Sequence, residues 1–229
     1  MSERGSSERE ASERAFPIVL AATSGTGKTT LARRLVADSD RYVFSVSATT
    51  RPPRRGEQDG VDYHFLSRRE FRKRIEGGDF VEWAEVHGRL YGTPRTEIEA
   101  AARRGEHVVL DIDVQGARQI RDTVPDAKLI FVLPPSVDIM MARLQRRGSE
   151  DPANVARRLH SALSELQAVP EFDYVVVNDD LDECLHEIQQ IVEGAAEQEG
   201  GLEETAERIR EGIAELIESR YSTYLKETQ

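Results

Sequence analysis

This sequence predicts an α/β fold in which a parallel sheet is flanked by helices, and three observations lead there. Short apolar runs recur and are continuous rather than alternating: FPIVLAA (16–22), HVVLDI (107–112), KLIFVLP (128–134) and DYVVVN (173–178). Strands covered on both faces read this way, because neither face calls for polar residues. Helical segments follow the runs at 30–39, 114–122, 136–147 and 181–192, and such alternation builds a sheet layered between helices. Finally, 229 residues suffice for one sizeable core carrying small insertions.

The composition narrows the class. A formal charge of −11 and a sequence pI near 5.1 argue against a general nucleic-acid binder, which needs a broad positive field. A few local arginines still suffice for a small phosphorylated ligand. One cysteine, Cys184, allows neither an internal disulfide nor a cysteine metal cluster, and it reads as an ordinary thiol in a helix. Residues 1–15 lack the apolar stretch of a secretory signal and read as a disordered polar arm. No run approaches the roughly 18 apolar residues of a membrane helix. The expectation is a protein of a reducing cytoplasm with no membrane or nucleic-acid partner, with monomer and homo-oligomer both open.

Two regions interrupt the alternation. Segment 45–92 holds short alternating pieces (VDYHFL, FVEWAEV) and a helix that Ser67 and Glu70 open as a capping box; it reads as a lobe inserted in a core of 16–44 and 93–194. Segment 146–158, where glycine and proline punctuate a basic stretch between two helices, reads as a mobile lid. Residues 195–229 form a helical extension, with Leu202, Ile209, Ile213, Leu216, Ile217 and Tyr224 in a broken apolar stripe.

The segment ATSGTGKT (22–29) leaves a predicted strand and enters a predicted helix. Gly25 and Gly27 let backbone amides close around anionic oxygens, and the helix start adds further N–H donors. Lys28 brings a compact positive charge to the β and γ phosphates, and Thr29 offers the hydroxyl expected on Mg²⁺. Ala22, Thr23, Ser24, Gly25, Thr26, Gly27, Lys28, Thr29 and Thr30 are therefore the expected cradle for a nucleoside triphosphate. Ala22 replaces the glycine that opens the strict motif. The bland alternative is a glycine-rich turn without a ligand, but strand, glycines, Lys-Thr and helix together outweigh it.

A second anion site is suggested by SVSATTRPPRRGEQDG (45–60). Ser47, Thr49-Thr50-Arg51, Arg54 and Gly56-Glu57 resemble the GMP site of the guanylate kinase family. The resemblance continues through Tyr63, Glu82 in WAEV, Tyr91-Gly92-Thr93, LDIDVQGA (110–117), LPPS (133–136) and VNDD (177–180), in order over 16–194. It implies a P-loop nucleoside monophosphate kinase fold with an inserted GMP-binding lobe and a lid. The implied activity is transfer of phosphate from Mg-ATP to GMP in purine nucleotide metabolism.

Residue by residue, the resemblance assigns the acceptor phosphate to Arg51, Arg54, Tyr63 and Tyr91. Guanidinium forks suit that task because they offer parallel charge-assisted donors. Glu57 and Thr93 belong to the same implied substrate set. Glu82 matches the guanine reader, with Asp111 on the N2 side and Ser47 also on the base. A carboxylate accepts both guanine donors and opposes adenine N1. Asp113 is a weaker acceptor-side or Mg²⁺-network candidate. Lys28, Arg51, Arg143, Arg147 and Arg158 are the implied catalytic cations, and Asn178 the residue beside the ATP base, with Asp179 or Asp180 as a helix cap. Arg55 reads as a solvated neighbour. Competing readings are another small-molecule P-loop kinase, or a guanylate-kinase-like module that binds protein segments without catalysis. The intact Gly27-Lys28-Thr29 speaks against the latter.

Overall fold

The computed structural model describes residues 15–86, 88–145, 151–196 and 202–226. Most of the expected arm, the first part of the expected lid and Arg147 lie outside the described residues. Internal contacts divide the chain into two units, one running up to Val19 and then from Ala32 to Leu129, the other Leu20–Leu31 and from Ile130 onward.

The anticipated strands form. A five-stranded sheet has the order β2-β7-β1-β8-β9, where β1 is Ile18–Ala22, β2 Tyr42–Phe44, β7 His107–Asp111, β8 Lys128–Leu133 and β9 Tyr174–Val177. The pairs β2–β7 and β8–β9 are parallel. Ile18, Val19, Leu20, Val109, Leu110 and Ile130–Leu133 are completely inaccessible, which explains why these strands carry no polar alternation.

In the first unit a second sheet, ordered β4-β3-β6-β5, is built from Ala48–Thr49 (β3), His64–Phe65 (β4), Phe80–Val86 (β5) and Arg89–Pro94 (β6). It accounts for the alternating patterns of the expected lobe, and its last strand runs two residues past 92. Its small core joins Ala48, Phe71, Phe80 and Leu90, with Leu66 and Ile75 against them. Phe71 and Phe80 stack with centroids 4.5 Å apart. Burying Phe71 contributes about 2–3 kcal/mol. Helix α2 (Arg68–Glu76) begins as expected, with the Ser67 hydroxyl accepting the Glu70 amide at 3.1 Å. Helices α3 (Arg95–Arg104) and α4 (Val114–Thr123) complete the unit. Asp113 caps α4 by accepting the Gly116 amide at 2.8 Å.

Helix α1 (Lys28–Asp38) starts in the second unit, directly behind the glycine-rich loop, and belongs to the first from Ala32 onward. Helix α5 spans Val137–Gln145 and α6 Pro152–Leu166. Asp151 caps α6 and Pro152 occupies its first turn, where a missing N–H costs nothing. The described part of the expected lid is therefore mostly the start of a helix. Helix α7 (Leu181–Glu193) is capped by Asp180, whose Oδ1 accepts the amides of Asp182 and Glu183, and it ends on left-handed Gly194. Cys184 is buried on α7, and burial first, then Glu187, pushes its thiol up to about 12. The extension is helical as expected: α8 (Leu202–Leu216), a π-turn at Ile217–Tyr221 and α9 (Ser222–Lys226). No helix among the described residues is long and apolar enough to cross a membrane.

Candidate functional site

The glycine-rich loop belongs to the second unit. Gly25 and Gly27 hold φ of 89° and 95°, a left-handed backbone that other residues resist. Space is tight as well: a Cβ on Gly25 would stand 3.0 Å from Leu144 Cγ and from the Met140 carbonyl, and one on Gly27 would stand 2.8 Å from Asn178 Nδ2. The Thr23 and Thr26 hydroxyls share a hydrogen bond of 3.0 Å inside the loop.

Three expected residues converge on this loop. Asn178 is buried, and its Nδ2 donates to the Thr26 carbonyl at 2.7 Å. Arg143, near the end of α5, donates from Nη1 to that carbonyl at 2.9 Å and from both terminal nitrogens to the Asn178 carbonyl at 3.1 Å. Arg158, on α6, donates from Nε and Nη2 to the Ser24 hydroxyl at 2.9 and 2.6 Å. One guanidinium group and one amide thus brace the loop backbone at Thr26, and a second guanidinium group holds the Ser24 side chain. Asn178, expected beside a base, carries a loop-bracing bond that the sequence did not disclose.

Lys28 and Thr29 open α1, with Thr29 and Thr30 exposed and Ala22 closing β1. No cluster of three histidine, cysteine or carboxylate residues able to cage a metal occurs among the described residues. That donor set fits Mg²⁺ nonetheless, because this ion usually takes one or two protein ligands and fills its octahedron with phosphates and water. Thr29, in the first turn of α1, carries a hydroxyl of the kind such an ion accepts as a ligand.

The remaining candidates lie in the first unit. Glu82 stands opposite Thr93 in the β5–β6 ladder and is only 4% exposed. The Thr93 hydroxyl donates to Glu82 Oε1 at 2.6 Å. On the other side, Glu82 Oε2 lies against the bare Cα of Gly116, where a Cβ would come within 2.6 Å. The edge strand is fastened at the next residue: Trp83 N–H donates to Gln119 Oε1 at 3.2 Å, and Gln119 Nε2 returns a bond to the Trp83 carbonyl at 2.8 Å. Gly116 and Gln119 are three apart on α4, so one helix face serves both contacts. Sequence reasoning missed this pair, since only its i,i+3 spacing hinted at a shared face.

Around Arg51 the expected residues gather. Its Nη1 and Nη2 donate to Glu57 Oε2 and Oε1, both at 2.9 Å, a bidentate fork. Glu57 Oε2 also accepts the Arg54 amide at 2.6 Å. The hydrogen bond from Arg51 holds the Glu57 carboxyl below its ordinary range, and the bond to Glu57 raises Arg51 in turn. Arg51 Cζ stands 5.1 Å from the Tyr63 ring centroid, and Tyr63 meets Tyr91 edge-on at 6.2 Å. Burial raises the Tyr63 phenol, and the nearby charge of Asp111 adds to it. Arg54 is exposed, joining this group through its backbone. Ser47 is half-buried beside β3, its carbonyl bonded to the His64 amide at 2.9 Å. Asp113 spends Oδ1 on capping α4. Glu57 is thus bonded to both Arg51 and the Arg54 backbone, two of the residues expected beside it.

Comparisons with known proteins point to one family. A family model described as guanylate kinase matches residues 14–195. A curated guanylate kinase from Symbiobacterium thermophilum is 45% identical over 202 residues, 88% of this chain and 91% of that protein. One from Synechocystis is 49% identical over 175 residues, 76% of this chain and 92% of that protein. The crystal structure of guanylate kinase from Anaplasma phagocytophilum is similar with a TM-score of 0.66 at 32% identity, covering 91% of this chain and 96% of that one.

Proposed function

The chain belongs to the guanylate kinase family, and from that membership we infer that it transfers the γ-phosphoryl group of ATP to GMP, giving ADP and GDP. The observation that carries the reading furthest is the buried Glu82 carboxylate, held by Thr93 in the same unit as the Arg51–Glu57–Tyr63–Tyr91 group. A carboxylate that accepts guanine N1–H and N2–H, combined with a guanidinium fork for a phosphate, describes GMP better than AMP.

The step is an in-line displacement. An oxygen of the GMP phosphate forms a bond to the γ-phosphorus while the bond to the β–γ bridging oxygen breaks, and ADP leaves with that oxygen. Since the nucleophile is already anionic, positioning and charge stabilisation carry the catalysis and no general base is needed. On the acceptor side, Arg51, Arg54, Tyr63 and Tyr91 hold the GMP phosphate. Glu57 keeps the Arg51 fork aimed. Glu82, Asp111 and Ser47 read the base, Thr93 fixes Glu82, and Asp113 supports the helix behind them.

On the donor side, amides from Ala22 to Thr30 cradle the ATP phosphates, and Lys28 sets a fixed cation beside the transferred group. Arg143 and Arg158, anchored to the loop at Thr26 and Ser24, add charge near the phosphates. Asn178 keeps the loop in shape. Magnesium, when bound with ATP at Thr29, would neutralise charge on the β and γ phosphates. The reaction suits a cytoplasmic protein without membrane or nucleic-acid partners.

A coupled assay tests the reading. Purified protein with Mg-ATP should release ADP when GMP is added and far less with AMP, CMP or UMP. Equal turnover of AMP would overturn the base assignment. GMP binding without any phosphoryl transfer would instead favour a non-catalytic module.

A further inference from the structure

We propose that the C-terminal helix Leu202–Leu216 is a positioning element of the donor site, holding the two helices that bring Arg143 and Arg158 to the phosphate loop. The family model ends at residue 195, so this helix lies outside the residues it matches. The inference rests on the ATP reading of that loop.

Helix α8 buries Ala206, Ile209 and Ile213, spaced three and four residues apart on one face. That face has two neighbours that matter to the site. Helix α6, which carries Arg158, packs against α8, and the π-turn and α9 that follow pack on α6 as well. Helix α5, which carries Arg143, also contacts α8. The extension therefore grips both arginine-bearing helices.

One close approach is at Gly212. A Cβ there would lie 2.9 Å from Val137 Cγ2, at the first residue of α5. Val137 is β-branched, and in a helix its χ1 is nearly fixed, so the methyl cannot swing aside cheaply. Any side chain at 212 thus pushes the first turn of α5 away. A helix this short moves largely as one body, so Arg143, six residues on, shifts with it. Its bonds to the Thr26 and Asn178 carbonyls span 2.9–3.1 Å and weaken steeply with misalignment. Glycine at 212 therefore sets how near α8 approaches α5, and through α5 how Arg143 meets the loop.

The test uses the full chain with Gly212→Ala and Gly212→Leu, each with and without Val137→Ala. Steady-state kcat and KM for ATP are measured beside the GMP dissociation constant and the melting temperature. The expected result is a loss in kcat/KM for ATP of about tenfold or more in the leucine variant and less in the alanine variant. GMP affinity should stay within about twofold, and Val137→Ala should recover most of the loss in Gly212→Ala. The proposal is overturned if ATP kinetics stay within about twofold of the parent in both variants, if GMP affinity falls in parallel, or if Val137→Ala recovers nothing. Should the leucine variant not fold, the alanine variant decides by the same criteria. A parent protein that makes no ADP from GMP would instead overturn the underlying ATP and GMP reading.

Discussion

Thr93 donates its hydroxyl hydrogen to Glu82 Oε1 across 2.6 Å, from the residue directly opposite in the β5–β6 ladder. Both residues are buried, so the bond forms in a setting where few other partners could replace it. A hydrogen bond to a charged group is worth about 1.5–3 kcal/mol. Thr93→Val keeps the shape and removes the donor. We expect KM for GMP to rise about tenfold or more, with KM for ATP little changed. Unaltered GMP kinetics in Thr93→Val would mean that Glu82 holds its place without help.

Gly116→Ala tests the other face of the same carboxylate. Alanine favours a helix over glycine by about 1 kcal/mol, so propensity alone predicts a slightly more stable protein. The new methyl would, however, stand 2.6 Å from Glu82 Oε2 and 3.1 Å from its Cδ, so the carboxylate must move. We expect a melting temperature close to the parent's and a kcat/KM for GMP reduced by about tenfold or more. Equal loss of stability and activity would point to general damage instead.

Arg51→Lys replaces a planar fork with a point charge. The bidentate pair with Glu57 cannot form, and the same loss of geometry applies to phosphate. We expect kcat/KM for GMP to fall about a hundredfold, a larger effect than that of Arg55→Lys at the exposed neighbour. Full activity in Arg51→Lys would show that only the net charge of this loop matters.

His107 supplies a pH prediction for stability. Its imidazole is buried at the start of β7, where burial holds its pKa below the ordinary 6.5, despite a partly compensating bond to Phe16. The unfolded chain therefore binds a proton that the folded chain resists. Stability from this group is complete above about pH 6.5 and is lost as the pH falls through the lowered folded value. A plot of melting temperature against pH should drop between pH 7 and 5, and His107→Gln should flatten that part of the drop. An unchanged slope in the variant would assign the acid sensitivity to other groups.

Much of this architecture was legible from residue order, for physical reasons. The four apolar runs announced buried strands because both faces of such strands are covered, as Val109 and Phe131 show. Ser67 and Asp180 announced helix starts because capping is local chemistry. The loop 22–30 was legible because glycine, lysine and threonine act there within a few residues of one another. What stayed hidden depends on distant partners. The two-residue strands β3 and β4 exist only through pairing with neighbours and have no pattern of their own. Asn178 reaches the Thr26 carbonyl across 152 residues of chain, and Gln119 ties down Trp83 across 36. Neither bond leaves a periodic trace.

Cys184 has a practical consequence. It is the only cysteine in the sequence, it is 1% exposed, and its thiol is pushed up to about 12. Thiolate is the species that attacks maleimides, so this position is shielded both by access and by protonation. A single cysteine introduced on the surface could therefore carry a fluorophore or spin label at a chosen helix, with the native thiol left in place as a silent background.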